Sequence, residues 1–291
     1  MTHIGMIGIG LMGHGIATNL QKHGHALTLL DHPGNQPLDA LITGGARTVA
    51  TPQAVAQQSD IIILCVTGSP QVEAVLTGEQ GVLKGLKPGA IVIDCSTAVP
   101  TSTVKLAQQV VAAGGRFLDA AMTRTPKEAA AGKLNLLVGG ESDLLALCHP
   151  ILACFAENIV HAGPVGAGHQ MKLLHNYVSL GSVALLSEAA ACARRAGVSG
   201  ETFVQVLSVG GGWGAALDRI KPFVTAGDSS NLRFSVSNAL KDLTYYNQMA
   251  TDTQAPHDIA QAVQQTLAWA CEAGDPNAFL PELIGYLAEK S

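Results

Sequence analysis

Charge is scarce in this 291-residue chain: Asp, Glu, Lys and Arg make up 13% of it, against 47% hydrophobic residues. That balance leaves little for a solvated tail and ample material for one large or two ordinary domains. Basic residues number 17 against 22 acidic ones and never form a run. A nucleic-acid partner would need a basic stripe, so none is expected. The six cysteines (Cys65, Cys95, Cys148, Cys154, Cys192, Cys271) show no C-x-x-C and no Cys/His cluster, which speaks against disulfides and structural zinc. The histidines are equally dispersed, and no metal site is expected. Met1–Gln21 carries no charged residue, but it lacks a positive n-region and holds five glycines and two histidines. It therefore reads neither as a signal peptide nor as a membrane span. The uncharged stretch Leu173–Ser187 is short and contains His175 and Asn176, and reads as a buried helix. No membrane partner is expected, and the location expected is cytoplasmic. Internal repeats and low-complexity segments are lacking too.

What is present begins at once. The apolar strand Ile4-Gly5-Met6-Ile7 runs into Gly8-Ile9-Gly10-Leu11-Met12-Gly13, a G-x-G-x-x-G sequence, and a helical run over Met12–His23 follows. Gly8 permits the tight turn, Gly10 lets backbone approach a pyrophosphate, and Gly13 lets the helix pack against the strand. The helix N-terminus adds unpaired N–H groups and a positive dipole end. A second strand, Ala26–Leu30, ends on Asp31, roughly 20 residues past the glycines, where a carboxylate takes adenosine ribose hydroxyls. Its charge would face a 2′-phosphate, which favours NAD; nearby His32 and Arg47 keep NADP open. The expected cofactor contacts here are Gly8, Gly10, Leu11, Met12, Gly13 and Asp31.

Up to about residue 164, short apolar runs alternate with helical stretches. Strands are expected at His3–Ile7, Ala26–Leu30, Ile61–Val66, Ala90–Asp94, Phe117–Met122, Leu134–Val138 and Ile159–His161. Helices such as Pro52–Gln57, Pro70–Leu76, Thr101–Ala113 and Asp143–Phe155 fall between them. This alternation predicts a mostly parallel sheet covered by helices on both faces. After Gly163-Pro164-Val165-Gly166 the sequence reads as helix alone, at Ala167–Ala196, Gly200–Val209, Ser235–Thr251 and His257–Ala273, with Gly210-Gly211-Gly212 as a flexible joint. The expected fold class is α/β, a Rossmann-type doubly wound sheet domain over residues 1–164. An all-helical domain over 165–291 would follow, joined by a long helix at about 167–196.

On that long helix Lys172 and Asn176 are four apart and share a face. Both lie in an apolar run, where a lysine either snorkels to the surface or has a task. Beside a dinucleotide the task is clear: carbonyl reduction needs a proton donor as well as a hydride donor. A lysine whose pKa falls below its usual value of about 10.4 through partial burial or a nearby positive charge can give and take that proton. Asn176 can hold the substrate oxygen or the lysine without adding charge.

At this point the chain resembles the β-hydroxyacid dehydrogenases, which include 3-hydroxyisobutyrate dehydrogenase and tartronate semialdehyde reductase. Five elements carry the resemblance, in order over nearly the whole length. They are Gly8–Gly13 through Asn19-Leu20; Val66-Thr67; Ser96-Thr97 after Ile91–Asp94; Gly163-Pro164-Val165-Gly166-Ala167-Gly168 with Lys172 and Asn176; and Lys241-Asp242-Leu243. The resemblance implies Lys172 and Asn176 as catalytic residues, and Val66, Thr67, Thr97 and Lys241 as further cofactor contacts. It also implies a homodimer or homotetramer. Where the family's substrate loop reads Asp-Ala-Pro-Val-Ser-Gly-Gly, this chain has Asp119-Ala120-Ala121-Met122-Thr123-Arg124-Thr125. Thr123 can replace the serine hydroxyl. A guanidinium fork beside two hydroxyls suits an anion with several oxygens, and sulfolactaldehyde reductase, in the same family, has a similar Arg-Thr. The plainer reading is that Arg124 pairs with a structural acid such as Glu128. His175 stands where the family usually has asparagine, and joins Thr123, Arg124 and Thr125 as an expected substrate contact. Trp213 either closes the pocket or simply packs.

The expected function is an NAD-dependent oxidoreductase, with NADP as second choice, acting on a small anionic 3-hydroxyacid or its semialdehyde. Its substrate is expected to be sulfolactaldehyde-like, with 3-hydroxyisobutyrate or tartronate semialdehyde as the alternative. An imine reductase and a non-catalytic dinucleotide-binding protein are the further alternatives.

Overall fold

The computed structural model describes residues 2–290. The chain runs through β1 (His3–Ile7), α1 (Leu11–Lys22), β2 (Ala26–Leu30), α2 (Asp39–Thr43), β3 (Arg47–Val49), α3 (Pro52–Gln58), β4 (Ile61–Leu64) and α4 (Ser69–Thr77). It continues with β5 (Ile91–Asp94), α5 (Pro100–Ala112), β6 (Arg116–Thr123), α6 (Pro126–Ala130), β7 (Leu134–Gly139), α7 (Ser142–Leu152) and β8 (Ala156–Gly163). Helices alone follow: α8 (Ala167–Arg195), α9 (Gly200–Ser208), α10 (Ala215–Ala226), α11 (Val236–Asp252), α12 (Asp258–Ala273) and α13 (Leu283–Glu289). The chain forms two compact units that divide inside α8, between Lys172 and Leu173.

The first unit is a single sheet in the order β3-β2-β1-β4-β5-β6-β7-β8, parallel except between β6 and β7. Its central strands are buried on both faces, as β4 (Ile61-Ile62-Ile63-Leu64) illustrates, because helices cover each side. Strand alternation divides the apolar side chains between two cores. Ile61, Ile63, Ile91 and Ile93 join one; Ile62, Leu64 and Val92 join the other. Local signals set the helix starts: Thr51 Oγ1 accepts the Ala54 N–H at 3.1 Å with Pro52 next in line, the arrangement that opens α3.

The second unit has its own core, from Leu173, Leu180 and Val183 on α8 to Leu243 and Tyr246 on α11 and Leu267 on α12. Tyr177 stacks on Tyr246 with ring centroids 4.2 Å apart. Among the described residues no helix is long and apolar enough to cross a membrane, and no group of three or more His, Cys, Asp or Glu is placed to hold a metal ion.

The α/β domain followed by an all-helical one is as expected. Five elements were not among those expected, namely α2, β3, α6, α10 and α13, and β8 runs over Ala156–Gly163 rather than Ile159–His161. β3 is a three-residue edge strand, too short to show a period. α6 has five residues and follows the unusual backbone at Arg124. α10 hides behind Gly214 and carries Pro222 in its interior.

Candidate active site

The chain leaves β1 at Gly8, whose φ is +90°. A Cβ on Gly8 would collide with the Cys65 carbonyl oxygen, and one on Gly13 would collide with the Gly8 carbonyl oxygen. Both obstacles are backbone, so the turn closes to a spacing that only glycine allows. At Gly10, the N-cap of α1, an added Cβ would meet nothing within 4 Å. The first turn of α1 holds no acidic residue, so no carboxylate there opposes an anion at its N–H groups and dipole end. Leu11 is exposed, and Met12 packs on the core. This cradle fits a pyrophosphate. Asn35 braces it: Ile9 N–H donates to Asn35 Oδ1 at 3.3 Å, and the Asn35 amide donates to the Leu30 carbonyl at 2.9 Å. Asn35 was invisible in the sequence, since the contact spans a loop with no motif.

Asp31 is exposed directly after β2, its N–H bonded to the Val49 carbonyl at 2.8 Å. His32 Nδ1 accepts the Gly34 N–H at 3.0 Å, which engages that nitrogen in its own turn. Arg47 pairs in register with Thr28, three residues short of Asp31. That is about 10 Å back along the strand.

The loops after β4 and β5 are tied together twice. Val66 N–H donates to Ser96 Oγ at 3.0 Å, and Val99 N–H donates to Ser69 Oγ at 2.7 Å. Ser96 N–H in turn donates to Asp94 Oδ1 at 2.9 Å. Thr67 is exposed and Thr97 half-buried on these two loops.

β6 delivers the expected substrate loop. Thr123, buried at its end, accepts from the Asn135 amide at 3.1 Å. Arg124 has a φ of +81°, a left-handed backbone on a residue other than glycine. Its Nη1 donates to the Lys133 carbonyl and to Glu157 Oε2, each at 2.5 Å. The acid partner is therefore Glu157 of β8. Glu128 serves Thr125 instead, accepting its N–H at 3.0 Å and its O–H at 2.5 Å in a capping box for α6. Hydrogen bonding and charge from Arg124 hold the Glu157 carboxyl below its ordinary range, and the bond from Thr125 does the same for Glu128. The Asn19 amide donates to the Ala129 carbonyl at 2.9 Å, fastening α6 to the helix that follows the glycine turn.

Asp119 of β6 anchors the start of α8: Oδ1 accepts from Gly166 N–H at 2.7 Å and Oδ2 from His169 N–H at 2.9 Å. An acid at a helix N-terminus meets both the unpaired N–H groups and the dipole. Lys172, one turn on, is half-buried.

In the second unit, Asn176 is buried and its amide donates to Asp242 Oδ2 at 2.6 Å. Asn176 Oδ1 accepts from His175 Nδ1 at 2.9 Å, which fixes the exposed His175 ring. Lys241 Nζ lies 3.3 Å from Asp242 Oδ1 and 5.7 Å from the centre of the Tyr245 ring. Asp242 sits in a motif noted in the sequence, but only its burial shows it to be the hub of this chain of contacts. Trp213 is 68% exposed, so it is not a core residue of this chain.

Residues 3–163 match the NAD binding domain of 6-phosphogluconate dehydrogenase, and residues 166–286 match the NAD-binding domain of NADP-dependent 3-hydroxyisobutyrate dehydrogenase. The chain is 30% identical to mitochondrial 3-hydroxyisobutyrate dehydrogenase of Mus musculus, covering 99% of this chain and 88% of the mouse protein. It is 33% identical to 3-sulfolactaldehyde reductase of Escherichia coli, covering 94% and 92% of the two. A solved 3-hydroxyisobutyrate dehydrogenase from Mycobacterium tuberculosis shares the fold, with a TM-score of 0.87 at 24% identity over 99% of both chains. The glycine cradle, the sheet order and these matches along both units agree: the chain belongs to the 3-hydroxyisobutyrate dehydrogenase-like family of NAD(P)-dependent oxidoreductases.

Proposed function

We propose that this oxidoreductase interconverts a small anionic 3-hydroxyacid and its semialdehyde, with NAD preferred to NADP and Lys172 as general acid and base. The observation that carries the reading lies on α8. Lys172 is half-buried one turn after a helix start that Asp119 anchors, and Asn176 one turn further has its amide locked by Asp242. When bound at the glycine cradle, the nicotinamide cofactor supplies or accepts the hydride. In reduction, Lys172 Nζ gives a proton to the carbonyl oxygen; in oxidation the neutral amine takes it from the hydroxyl. Asn176, with His175 beside it, positions the lysine or the substrate oxygen. Gly8, Gly10, Leu11, Met12 and Gly13 hold the pyrophosphate, Asp31 the ribose, and Val66, Thr67, Thr97 and Lys241 the remainder. The exposed Asp31 carboxylate, whose charge would face a 2′-phosphate, supports NAD.

The substrate's anion falls to Thr123 and Arg124. Thr123 accepts from Asn135, which leaves its O–H proton to donate. Both contacts of Arg124 run through Nη1, so Nε and Nη2 retain donors for an anion. Thr125 spends its N–H and O–H on Glu128 and shapes the loop. A left-handed arginine costs about 1–2 kcal/mol, and a half-exposed ion pair repays little of that. Strain of this kind concentrates at functional sites. It supports a sulfonate-bearing, sulfolactaldehyde-like substrate, and the similarity to the Escherichia coli reductase points the same way. A carboxylate-only substrate, 3-hydroxyisobutyrate or tartronate semialdehyde, is the second reading, favoured by the mouse relative. Assembly as a homodimer or homotetramer completes the proposal, supported by the exposed apolar side chains Val178 and Leu185 along α8.

The test is a panel of sulfonated, phosphorylated and carboxylated short aldehydes, run with NADH and NADPH. Lys172→Ala should lose turnover by at least about 100-fold while still binding NADH. Turnover of a cyclic imine alone, or a Lys172→Ala variant as active as the parent, would overturn the reading.

A further inference from the structure

Beneath the expected cofactor loops lies a buried pair that the proposed chemistry does not use. Asp94 ends β5 and His169 stands in the first turn of α8, and both are fully buried. Among the described residues Asp94 Oδ2 and His169 Nε2 have no hydrogen-bond partner, yet they lie 4.0 Å apart. Two buried polar atoms left bare cost free energy, and two lone pairs pointing at each other repel. Nor does water fit between them, since two hydrogen bonds of about 2.8 Å through one water hold their ends about 4.6 Å apart.

The rest of the ring is committed. His169 Nδ1 lies 2.7 Å from Thr103 Oγ1, whose hydroxyl is also 3.2 Å from the Val99 carbonyl. If Thr103 donates to Val99, it accepts from Nδ1–H, and Nε2 needs either its own proton or one from the Asp94 carboxyl. If Thr103 donates to Nδ1, the ring proton sits on Nε2. Either way one proton lies between Nε2 and Oδ2, and a small ring shift makes the hydrogen bond.

The ionisable groups around the pair cannot supply a substitute. Cys65 follows β4 and Cys95 follows β5; burial pushes Cys65 up to about 12 and Cys95 well above its ordinary value, so both thiols stay neutral. Asp119 on β6 faces the pair as well, and both its oxygens already accept α8 backbone N–H groups. Burial also pushes the Asp94 carboxyl upward, against the pull of the His169 ring.

We propose that His169 and Asp94 share a proton and thereby act as a positioning pair, holding the first turn of α8, and with it Lys172, to the loop that carries Ser96 and Thr97. Asp94 grips both ends of this link: Oδ1 takes the Ser96 N–H at 2.9 Å while Oδ2 faces the His169 ring. The inference rests on Lys172 being the acid and base, because Lys172 lies three residues beyond His169 on the same helix.

Two measurements test it on the full-length protein. Ring-nitrogen NMR of histidine-labelled protein should find an exchange-protected proton on the His169 side of the pair, lost in Asp94→Asn. A ring proton exchanging as fast as those of exposed histidines such as His23 would overturn the shared proton. Kinetically, His169→Gln should lower kcat by roughly 10- to 100-fold and displace the kcat–pH profile, with the Kd for NADH within about twofold of the parent. A parental kcat and pH profile would overturn the positioning role. Should His169→Gln fail to fold, Thr103→Val loosens the ring without removing it and must shift kcat and its pH profile the same way. If Lys172→Ala kept full activity, the function proposed above would fail while the NMR result would still stand.

Discussion

Asn176 donates its amide to Oδ2 of Asp242, a carboxylate only 3% exposed, at 2.6 Å, and Lys241 lies 3.3 Å from the other oxygen. A residue proposed to orient the reaction is thus itself oriented by an acid on α11. Asp242→Ala leaves a buried amide without its acceptor, which costs about 1–3 kcal/mol. Turnover should fall by roughly 10- to 100-fold as Asn176 loses its fixed direction. Asp242→Asn keeps an acceptor for Asn176 and should recover part of the loss. Steady-state kinetics with thermal melts check this; an Asp242→Ala protein with parental kcat would remove Asp242 from the site.

The backbone of Arg124 sets a trade between stability and recognition. Its φ of +81° is a conformation glycine adopts freely. Arg124→Gly should relieve about 1 kcal/mol of strain and so hold or raise Tm, despite the lost contacts to Glu157 and Lys133. Turnover of a sulfonated aldehyde should drop by about 100-fold or more, and that of a carboxylated one by less. Equal losses on both substrates would sink the sulfonate reading.

Glu157 competes for the same guanidinium. Arg124 holds its carboxyl below the ordinary range, so the pair is intact above the usual carboxylate pKa and opens only as pH falls through the lowered value. Lowering the pH from neutral therefore does not release Arg124 until the pH passes below the ordinary carboxylate range, whereas Glu157→Gln releases it at any pH. The variant should lower KM for an anionic substrate by about two- to fivefold, in line with a half-exposed pair, and leave the KM for NADH alone. An unchanged or raised KM for the anion would show that Arg124 does not meet it.

The sequence showed some of this site and hid the rest for physical reasons. Gly8 and Gly13 could be read directly, because a tight strand-to-helix turn admits only glycine at those two places, and Gly10 came with them through the spacing. Lys172 and Asn176 were legible as a pair on one helix face. Asp94, Asp119 and His169 were not, since their meaning lies in contacts between β5, β6, α5 and α8 that no local period encodes. Arg124 shows the same limit in miniature. The structural acid weighed as its alternative partner was Glu128, one helical turn away, whereas the sheet brings Glu157 from β8 to the spot. β3 escaped because three residues cannot display alternation.

Asp31 should set the choice of cofactor. It is exposed at the end of β2, and Arg47 is in register with Thr28 rather than with Asp31. Asp31→Ser removes the charge that opposes a 2′-phosphate. The ratio of kcat/KM for NADPH to that for NADH should rise by about tenfold or more, an electrostatic change of about 1.4 kcal/mol. A ratio that stays at the parental value would place the ribose contact elsewhere.

Gly10 and Gly13 separate cofactor binding from folding. A Cβ at position 13 would strike the Gly8 carbonyl oxygen, backbone against backbone, so Gly13→Ala must shift α1 away from the turn. Overpacking of that kind costs about 1–3 kcal/mol, and Tm should fall along with NADH affinity. At position 10 the added methyl meets no protein atom within 4 Å. Gly10→Ala should therefore keep the parental Tm while weakening NADH by at least about tenfold, because the methyl occupies the space through which the pyrophosphate approaches the α1 N-terminus. The pair of melts and fluorescence titrations distinguishes the two roles. A Gly10→Ala protein that binds NADH as tightly as the parent would mean that the pyrophosphate does not lie over this turn, whatever the effect at Gly13.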